Sequence, residues 1–221
     1  SQPLVLSYGA RGSFTTSNPD LRLLVGSNSG FVHLFGNSDG EEDWAFFPKE
    51  LASILPERRR NALSNAHVYG MDLTPVTYID DSNQDGTLDS NGGDKVWAYL
   101  GMRRGGYAYY ALDLSNPDSP SFLWRIDDSA SGCSELGQTW SKPVVTRIPG
   151  YADDNGVKKP VLVFGGGYDT GKDALQQADS SAKLAILLVE TKISAAQGKR
   201  LLAKNNGFLR LAIDEAGLNN K

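Results

Sequence analysis

Cysteine, histidine and methionine are scarce in this chain: of 221 residues, one is Cys, two are His and two are Met. A lone thiol, Cys133, cannot close an internal disulfide, so the cysteine count leaves the redox compartment undecided. Its setting, Ser131-Gly132-Cys133-Ser134, reads as a loop, and neither histidine lies near it in sequence, which argues against a reactive thiol. His33 and His67 have no evident Ser or Cys partner for hydrolysis. His33 alternates with Phe31 and Phe35 and reads as a packed strand histidine.

Long apolar runs are also missing, and no stretch approaches the roughly 20 residues that span a bilayer as a helix. Positive charge is not in excess: 22 Lys and Arg stand against 26 Asp and Glu, a formal net charge of −4. That balance gives no electrostatic case for nucleic acid or an anionic membrane as partner. The one dense basic run, Glu57-Arg58-Arg59-Arg60, reads as a solvated helical patch and is assigned no function. The start, Ser1-Gln2-Pro3-Leu4-Val5, lacks a Met and a signal-peptide pattern, so the chain is expected to be an excised or processed piece. With 40% hydrophobic residues, a sizeable core in one or two globular domains is expected.

What the chain has instead is oxygen. Asp81-Ser82-Asn83-Gln84-Asp85-Gly86-Thr87-Leu88-Asp89 places oxygen-bearing residues at every second position around a glycine. Ca²⁺ takes roughly six to eight oxygen ligands, and a tight loop delivers them from positions 1, 3, 5, 7 and 9 with glycine at 6. Those positions are Asp81, Asn83, Asp85, Thr87 through its main-chain carbonyl, and Asp89, with Gly86 at the turn. A helical EF-hand would place a bidentate Glu at position 12, where this chain has Gly92. The flanks, 75–79 and 95–99, have strand character, so the loop is EF-hand-like in a β context. An acidic, solvated hairpin turn is the alternative, because Asp, Asn and Gly are also common turn residues. Magnesium suits the loop less well, since it demands a stricter octahedron and keeps its waters.

The strand signals recur. Residues 21–26 lead through Ser27-Asn28-Ser29-Gly30 into 31–35, and Asn37-Ser38-Asp39-Gly40 precedes 42–47. The plan returns at 95–101, Arg103-Arg104-Gly105-Gly106, 107–113 and 121–126, and begins again at 159–168 with 182–190 as a candidate partner. Repeated strand, glycine-turn, strand, aromatic-strand modules predict an all-β fold of β-propeller blades, with a β-sandwich as the alternative. About three blades are visible, fewer than the four that closure needs, so an incomplete propeller with loop insertions is expected. The expected division is a single domain over 1–221. Residues 1–20 are a lead-in, 21–50, 95–127 and 159–190 are blade cores, and 51–94 is an insertion carrying the calcium loop. Within that insertion 51–65 is helix-like with a boundary at Pro56, and in 191–221 helix and strand are nearly tied. Three of the four tryptophans, Trp44, Trp97 and Trp124, fall in expected strands and read as packing between blades rather than a sugar platform. The pairs Asp127-Asp128 and Asp153-Asp154 read as loop surface.

Taken together, these motifs resemble the PilC/PilY family of type IV pilus biogenesis and tip-adhesin proteins, whose C-terminal portion is a propeller. Val25-Gly26-Ser27-Asn28-Ser29-Gly30-Phe31-Val32-His33-Leu34-Phe35 is similar to the family's valine-glycine-x-asparagine-x-glycine-x-x-histidine-x-phenylalanine strand pair. Trp44-Ala45-Phe46-Phe47-Pro48 is similar to its tyrosine-x-proline strand. Tyr69-Gly70-Met71-Asp72, the 81–89 loop, Gly105-Gly106-Tyr107, Gly137-Gln138-Thr139-Trp140-Ser141-Lys142-Pro143 and Gly165-Gly166-Gly167-Tyr168-Asp169-Thr170 continue in family order, covering about 20–172. After Asp173 the pattern departs: Val189-Glu190-Thr191-Lys192-Ile193 stands where a valine-aspartate pair and a Thr-Gly turn are expected.

The resemblance implies Ca²⁺ held by Asp81, Asn83, Asp85, Thr87 and Asp89. It also implies a role in pilus assembly and surface attachment, with calcium occupancy tuning extension against retraction. Pilins or minor pilins at the pilus tip are the implied partners, with a host or abiotic surface as target. The implied location is extracellular or at the cell surface, associated with the outer membrane. No catalytic residues are expected. The alternatives are a quinoprotein-dehydrogenase-like enzyme, which shares propeller and calcium but places the ion beside a cofactor, and a calcium module that is structural only.

Overall fold

The computed structural model describes residues 1–60, 67–154 and 156–169. Two four-stranded antiparallel meanders dominate it. The first runs β1 (Leu4–Ser7), β2 (Leu21–Gly26), β3 (Val32–Gly36) and β4 (Glu42–Phe46), and the second β5 (Val76–Asp80), β6 (Lys95–Gly101), β7 (Tyr109–Asp113) and β8 (Ser121–Ile126), each in sequential order. A pair, β9 (Val144–Thr146) with β10 (Val161–Val163), comes after them. Four-stranded meanders repeated along the chain are the construction of propeller blades, as the sequence pattern predicts.

The repeat extends to detail. In both meanders the register between third and fourth strands shifts by a bulge, at Leu34/Phe35 and at Ala111/Leu112. A bulge bends its strand and raises the local twist, so both sheets are twisted at the same place.

Each meander takes its first strand from outside the expected blade cores. β1 lies within 1–20 and pairs Leu4 to Leu24 through Ser7 to Leu21, and β5 lies within 51–94 and pairs Val76 to Tyr99 through Asp80 to Lys95. Between β4 and β5 the chain makes a 3-10 turn, Lys49–Ile54, and a short helix α1, Leu55–Arg60. Pro56 stands inside the first turn of α1, where its missing N–H removes no helical bond, so the boundary falls one residue earlier than the proline suggests. Residues 61–65, the expected strand 182–190 and the segment 191–221 lie outside the described residues.

The second sheet is apolar on both faces. Val96, Ala98, Leu100, Tyr110 and Leu112 point into one core with Leu6, Leu24, Val32 and Leu34 of the first sheet. Tyr99, Tyr109 and Ala111, the alternating set, point into another core with Leu136, Leu162 and Phe164. Period-two alternation with both sets buried means a sheet packed front and back, as a blade between two neighbours must be. At roughly 1.5–3 kcal/mol for each fully buried large apolar side chain, these two layers dominate the cohesion of the fold.

Directional bonds fix how the first two sheets meet. Tyr8 is fully buried and donates its hydroxyl to the Leu114 carbonyl at 2.8 Å, and Trp44 donates Nε1 to the Pro117 carbonyl at 2.8 Å. Asp20, 1% exposed, accepts Arg22 Nε at 2.6 Å and Arg11 at 3.4 Å, and Arg11 also reaches Asp118 in the β7–β8 turn. Burial pushes the Tyr8 phenol well above its usual range, so the hydroxyl stays a donor.

Tyr8→Phe leaves the Leu114 carbonyl without that donor. Urea unfolding of the variant is expected to show a loss of about 1–2 kcal/mol with the m-value unchanged.

Candidate metal-binding loop

The 81–94 loop joins β5 to β6 and lies against the first sheet. Leu88 is buried in the core shared by the two meanders, and its amide donates to the Tyr8 carbonyl at 3.1 Å. Gly9, at φ +70°, allows the approach, since a Cβ there would stand 2.1 Å from the Gly86 carbonyl oxygen. The loop is thus held at both ends by its own sheet and in the middle by the neighbouring one.

Its conformation is set by Asx chemistry. Asn83 Oδ1 accepts from the Asp85 amide at 3.1 Å, Asp85 Oδ1 from the Thr87 amide at 2.7 Å, and Asp81 Oδ2 from the Gly86 amide at 2.9 Å. Gln84 at φ 57° and Gly86 at φ 76° take the left-handed turns that wind the loop back on itself. Asn83 Nδ2 donates to Asp85 Oδ2 at 3.0 Å. Asp81, Asn83 and Asp85 are therefore brought into one hydrogen-bonded turn. Asp89 accepts from Asn91 N at 2.9 Å and Nδ2 at 3.1 Å as cap of the following 3-10 turn, Ser90–Gly92.

Two observations bear on whether these residues fit a hard cation. Asp81 Oδ1 is buried with no hydrogen-bond partner, an orphaned carboxylate oxygen at the first position of the loop. Such a group is costly unless a donor or cation meets it. Among the described residues no three or more His, Cys, Asp or Glu side chains form a group able to hold a metal. A site here must therefore draw on Asn83 and a main-chain carbonyl as well as carboxylates, which is the donor set the spacing supplies. On donor chemistry and on the orphaned oxygen, the residues fit Ca²⁺.

Asp94 closes the loop, and the spacing rule missed it. Only 4% exposed, it accepts Ser82 N and Oγ at 2.8 Å each through Oδ1, and Asp89 N at 3.0 Å through Oδ2. Those bonds, from the Asp89 amide first and then Ser82, hold its carboxyl below the usual range. It stands at position 14, beyond the twelve-residue template. The available signal was a carboxylate directly before the apolar strand β6, where no solvated turn residue is needed.

The remaining polar candidates stay apart from the loop. His33 pairs with Glu42 at 2.5 Å between the Phe31 and Phe35 rings, a satisfied strand histidine. Cys133 is buried, which raises its thiol pKa and disfavours the reactive thiolate. Trp44, Trp97 and Trp124 pack against the two cores. Asp127 pairs with Arg125 at 2.7 Å. No helix among the described residues is long and apolar enough to cross a membrane.

Known proteins offer several points of likeness. No protein-family model matches the chain. The chain is 32% identical, over 83% of its length, to the type IV pilus biogenesis factor PilY1 of Pseudomonas aeruginosa strain UCBPP-PA14, and spans 14% of that protein. It is 28% identical over 56% of its length to the PilY1 homolog of Xylella fastidiosa, spanning 9% of it. The crystal structure of the P. aeruginosa PilY1 C-terminal domain is 27% identical, with a TM-score of 0.46, covering 68% of this chain and 25% of that one. A separate 50-residue match, 46% identical and 23% of the chain, is to N-acetylmuramic acid 6-phosphate etherase of Colwellia psychrerythraea, of which it spans 16%.

Asp94 also predicts a pH dependence. Its folded pKa is depressed, so its contribution is present above the unfolded value of about 3.9 and is lost as pH falls through the folded value. Hydrogen exchange at the Ser82 and Asp89 amides is expected to accelerate on acidification below about pH 4, relative to neighbouring amides. In Asp94→Asn the same amides exchange fast already at neutral pH, with little further change.

Proposed function

Because the chain belongs to the PilC/PilY family of type IV pilus biogenesis factors, we propose that it is a calcium-binding blade segment of such a factor, with Asp81, Asn83, Asp85, the Thr87 carbonyl and Asp89 as ligands. The chain spans about one seventh of the curated relative it matches at 32% identity, so the whole protein's activity and partners enter here as proposals. The observation that carries the calcium reading is the buried, unpartnered Asp81 Oδ1 at the head of a loop whose oxygens recur at alternate positions.

Bound there, Ca²⁺ supplies positive charge against three carboxylates and a hard acceptor for oxygen lone pairs. The chain's own residues carry that charge balance into the fold. Gly86 and Gln84 set the turn, Asp94 holds the Ser82 and Asp89 amides, and Leu88 anchors the middle of the loop to Tyr8 of the first sheet. Repulsion among Asp81, Asp85 and Asp89 acts on a segment that carries the Leu88–Tyr8 bond, so loop electrostatics reach the junction between the two sheets. In this reading the junction tells the pilus machinery whether calcium is present, and so tunes extension against retraction and surface attachment. The partners are pilins or minor pilins, and the place is the cell surface at the pilus tip.

The second reading, a calcium module that only pins the loop, rests on the same Leu88 anchor, since a buried leucine alone holds the segment. Cells separate the two: a loop variant that still assembles pili but loses retraction control supports regulation, and one that assembles and retracts normally supports pinning alone.

Calorimetric titration of Ca²⁺ into the chelator-treated chain is expected to give one site, preferred over Mg²⁺. Asp85→Ala is expected to weaken it at least about tenfold, or about 1.4 kcal/mol, while the thermal midpoint in chelator stays close to wild type. Unchanged affinity in Asp85→Ala removes these ligands from the account.

A further inference from the structure

A second cluster lies away from the calcium loop, where the β6–β7 connection meets the segment before β9. Arg103 stands with its guanidinium carbon 4.9 Å from the centre of the Trp140 ring, and Arg104 stands 5.2 Å from the same ring and 5.0 Å from that of Tyr69. Two guanidinium groups sharing one indole are within about 10 Å of each other.

Their charge is poorly compensated. Arg104 is exposed, donates to the Tyr69 hydroxyl at 2.5 Å, and has no carboxylate at ion-pair distance among the described residues. Arg103 is 42% exposed and meets Asp72 only at 3.7 Å. The buried arginine partners elsewhere differ: Arg22 alone has Asp20 and Asp43 at 2.6 Å.

The base beneath them is rigid. Thr139, fully buried, accepts the Met102 amide on Oγ1 at 2.8 Å, its amide donates to the Gly106 carbonyl at 3.2 Å, and its carbonyl accepts the Arg103 amide at 3.3 Å. Gly105 packs on Gly70 so closely that a Cβ would stand 1.9 Å from the Gly70 carbonyl oxygen. Arg103 itself holds φ 49°, a left-handed conformation that is strained for a non-glycine residue.

We propose that Arg103 and Arg104, gathered over the Trp140 ring, form a docking site for an acidic segment of a partner protein, its carboxylates received by the two guanidinium forks. Arg104 uses Nη1 on the Tyr69 hydroxyl and Arg103 turns Nη1 toward Asp72, while the remaining N–H groups of each fork can meet a carboxylate in two parallel hydrogen bonds. The surroundings favour a protein as the source. Arg, Trp and Tyr are the residue types that dominate protein–protein hot spots. Tyr107 and Tyr168, 43% and 53% exposed, flank the cluster, the first next in sequence to Gly106 and the second bridging to Gln138 beside Trp140. The site is independent of the calcium loop and stands or falls without it.

The test is fluorescence anisotropy of a labelled hexaglutamate peptide titrated with the whole chain at low salt. Saturable binding is expected, weakening several-fold between about 50 and 200 mM salt as screening grows. Arg104→Gln and Arg103→Gln are each expected to lower affinity at least about fivefold, with calcium affinity and thermal midpoint unchanged. Absence of saturable binding by the wild-type chain overturns the proposal without recourse to any variant, and so does equal binding by both variants. Stronger binding of polygalacturonate at equal carboxylate concentration overturns the protein source in favour of an acidic polysaccharide. Displacement of the peptide by inorganic phosphate at equal charge overturns the carboxylate fork.

Discussion

The contact on which the rest of the structure depends is the one between Leu88 and Tyr8. Through it a polar loop of the second sheet is fastened to the first strand region of the first sheet, by an amide–carbonyl bond and by burial of the leucine in the common core. The same tyrosine reaches across with its hydroxyl to Leu114 at the end of β7. Three segments distant in sequence thus converge on Tyr8, the loop on its main-chain carbonyl and the end of β7 on its hydroxyl. Gly9 is required for this, since any side chain at its left-handed φ would strike the Gly86 carbonyl.

From that junction outward, burial sets the architecture. The second sheet separates two cores and is apolar on both faces, so it must have neighbours on both sides. The first sheet buries Leu24, Val32 and Leu34 on one face but leaves Leu23, Val25, Phe31 and Phe35 half-buried on the other. Such a half-buried apolar face is one that a neighbouring blade would cover. The repeated bulge between third and fourth strands gives both sheets the same bend.

Much of this was legible in the sequence because periodicity and turn chemistry were strong where packing was strong. Residues 21–26, 95–101 and 121–126 match strands, and Trp44, Trp97 and Trp124 pack as strand position implied. β1 was missed because four residues, Leu4-Val5-Leu6-Ser7, carry too short an alternation, and only pairing with β2 makes them a strand. β5 was seen as a strand flank of the loop, but its place as first strand of the second meander depends on register with β6, which is a tertiary fact. Within the loop, Asp81, Asn83 and Asp85 meet in one turn as spacing required, while Asp89 caps the next turn. Asp94 and the Arg103–Arg104–Trp140 cluster carry no spacing signal because their meaning lies in what they face across the fold. No spacing rule encodes a bond from Ser82 to Asp94 or an indole shared by two arginines.

The central claim is that the acidic loop and the junction between the sheets act as one unit. Amide hydrogen exchange of the whole chain with and without saturating Ca²⁺ tests it most directly. The account predicts added protection on calcium binding in 81–94 and also in 6–9 and 113–118, the segments tied to it through Tyr8. Protection confined to 81–89, with 6–9 and 113–118 unchanged, would contradict the claim and leave the loop a local site with no reach into the fold.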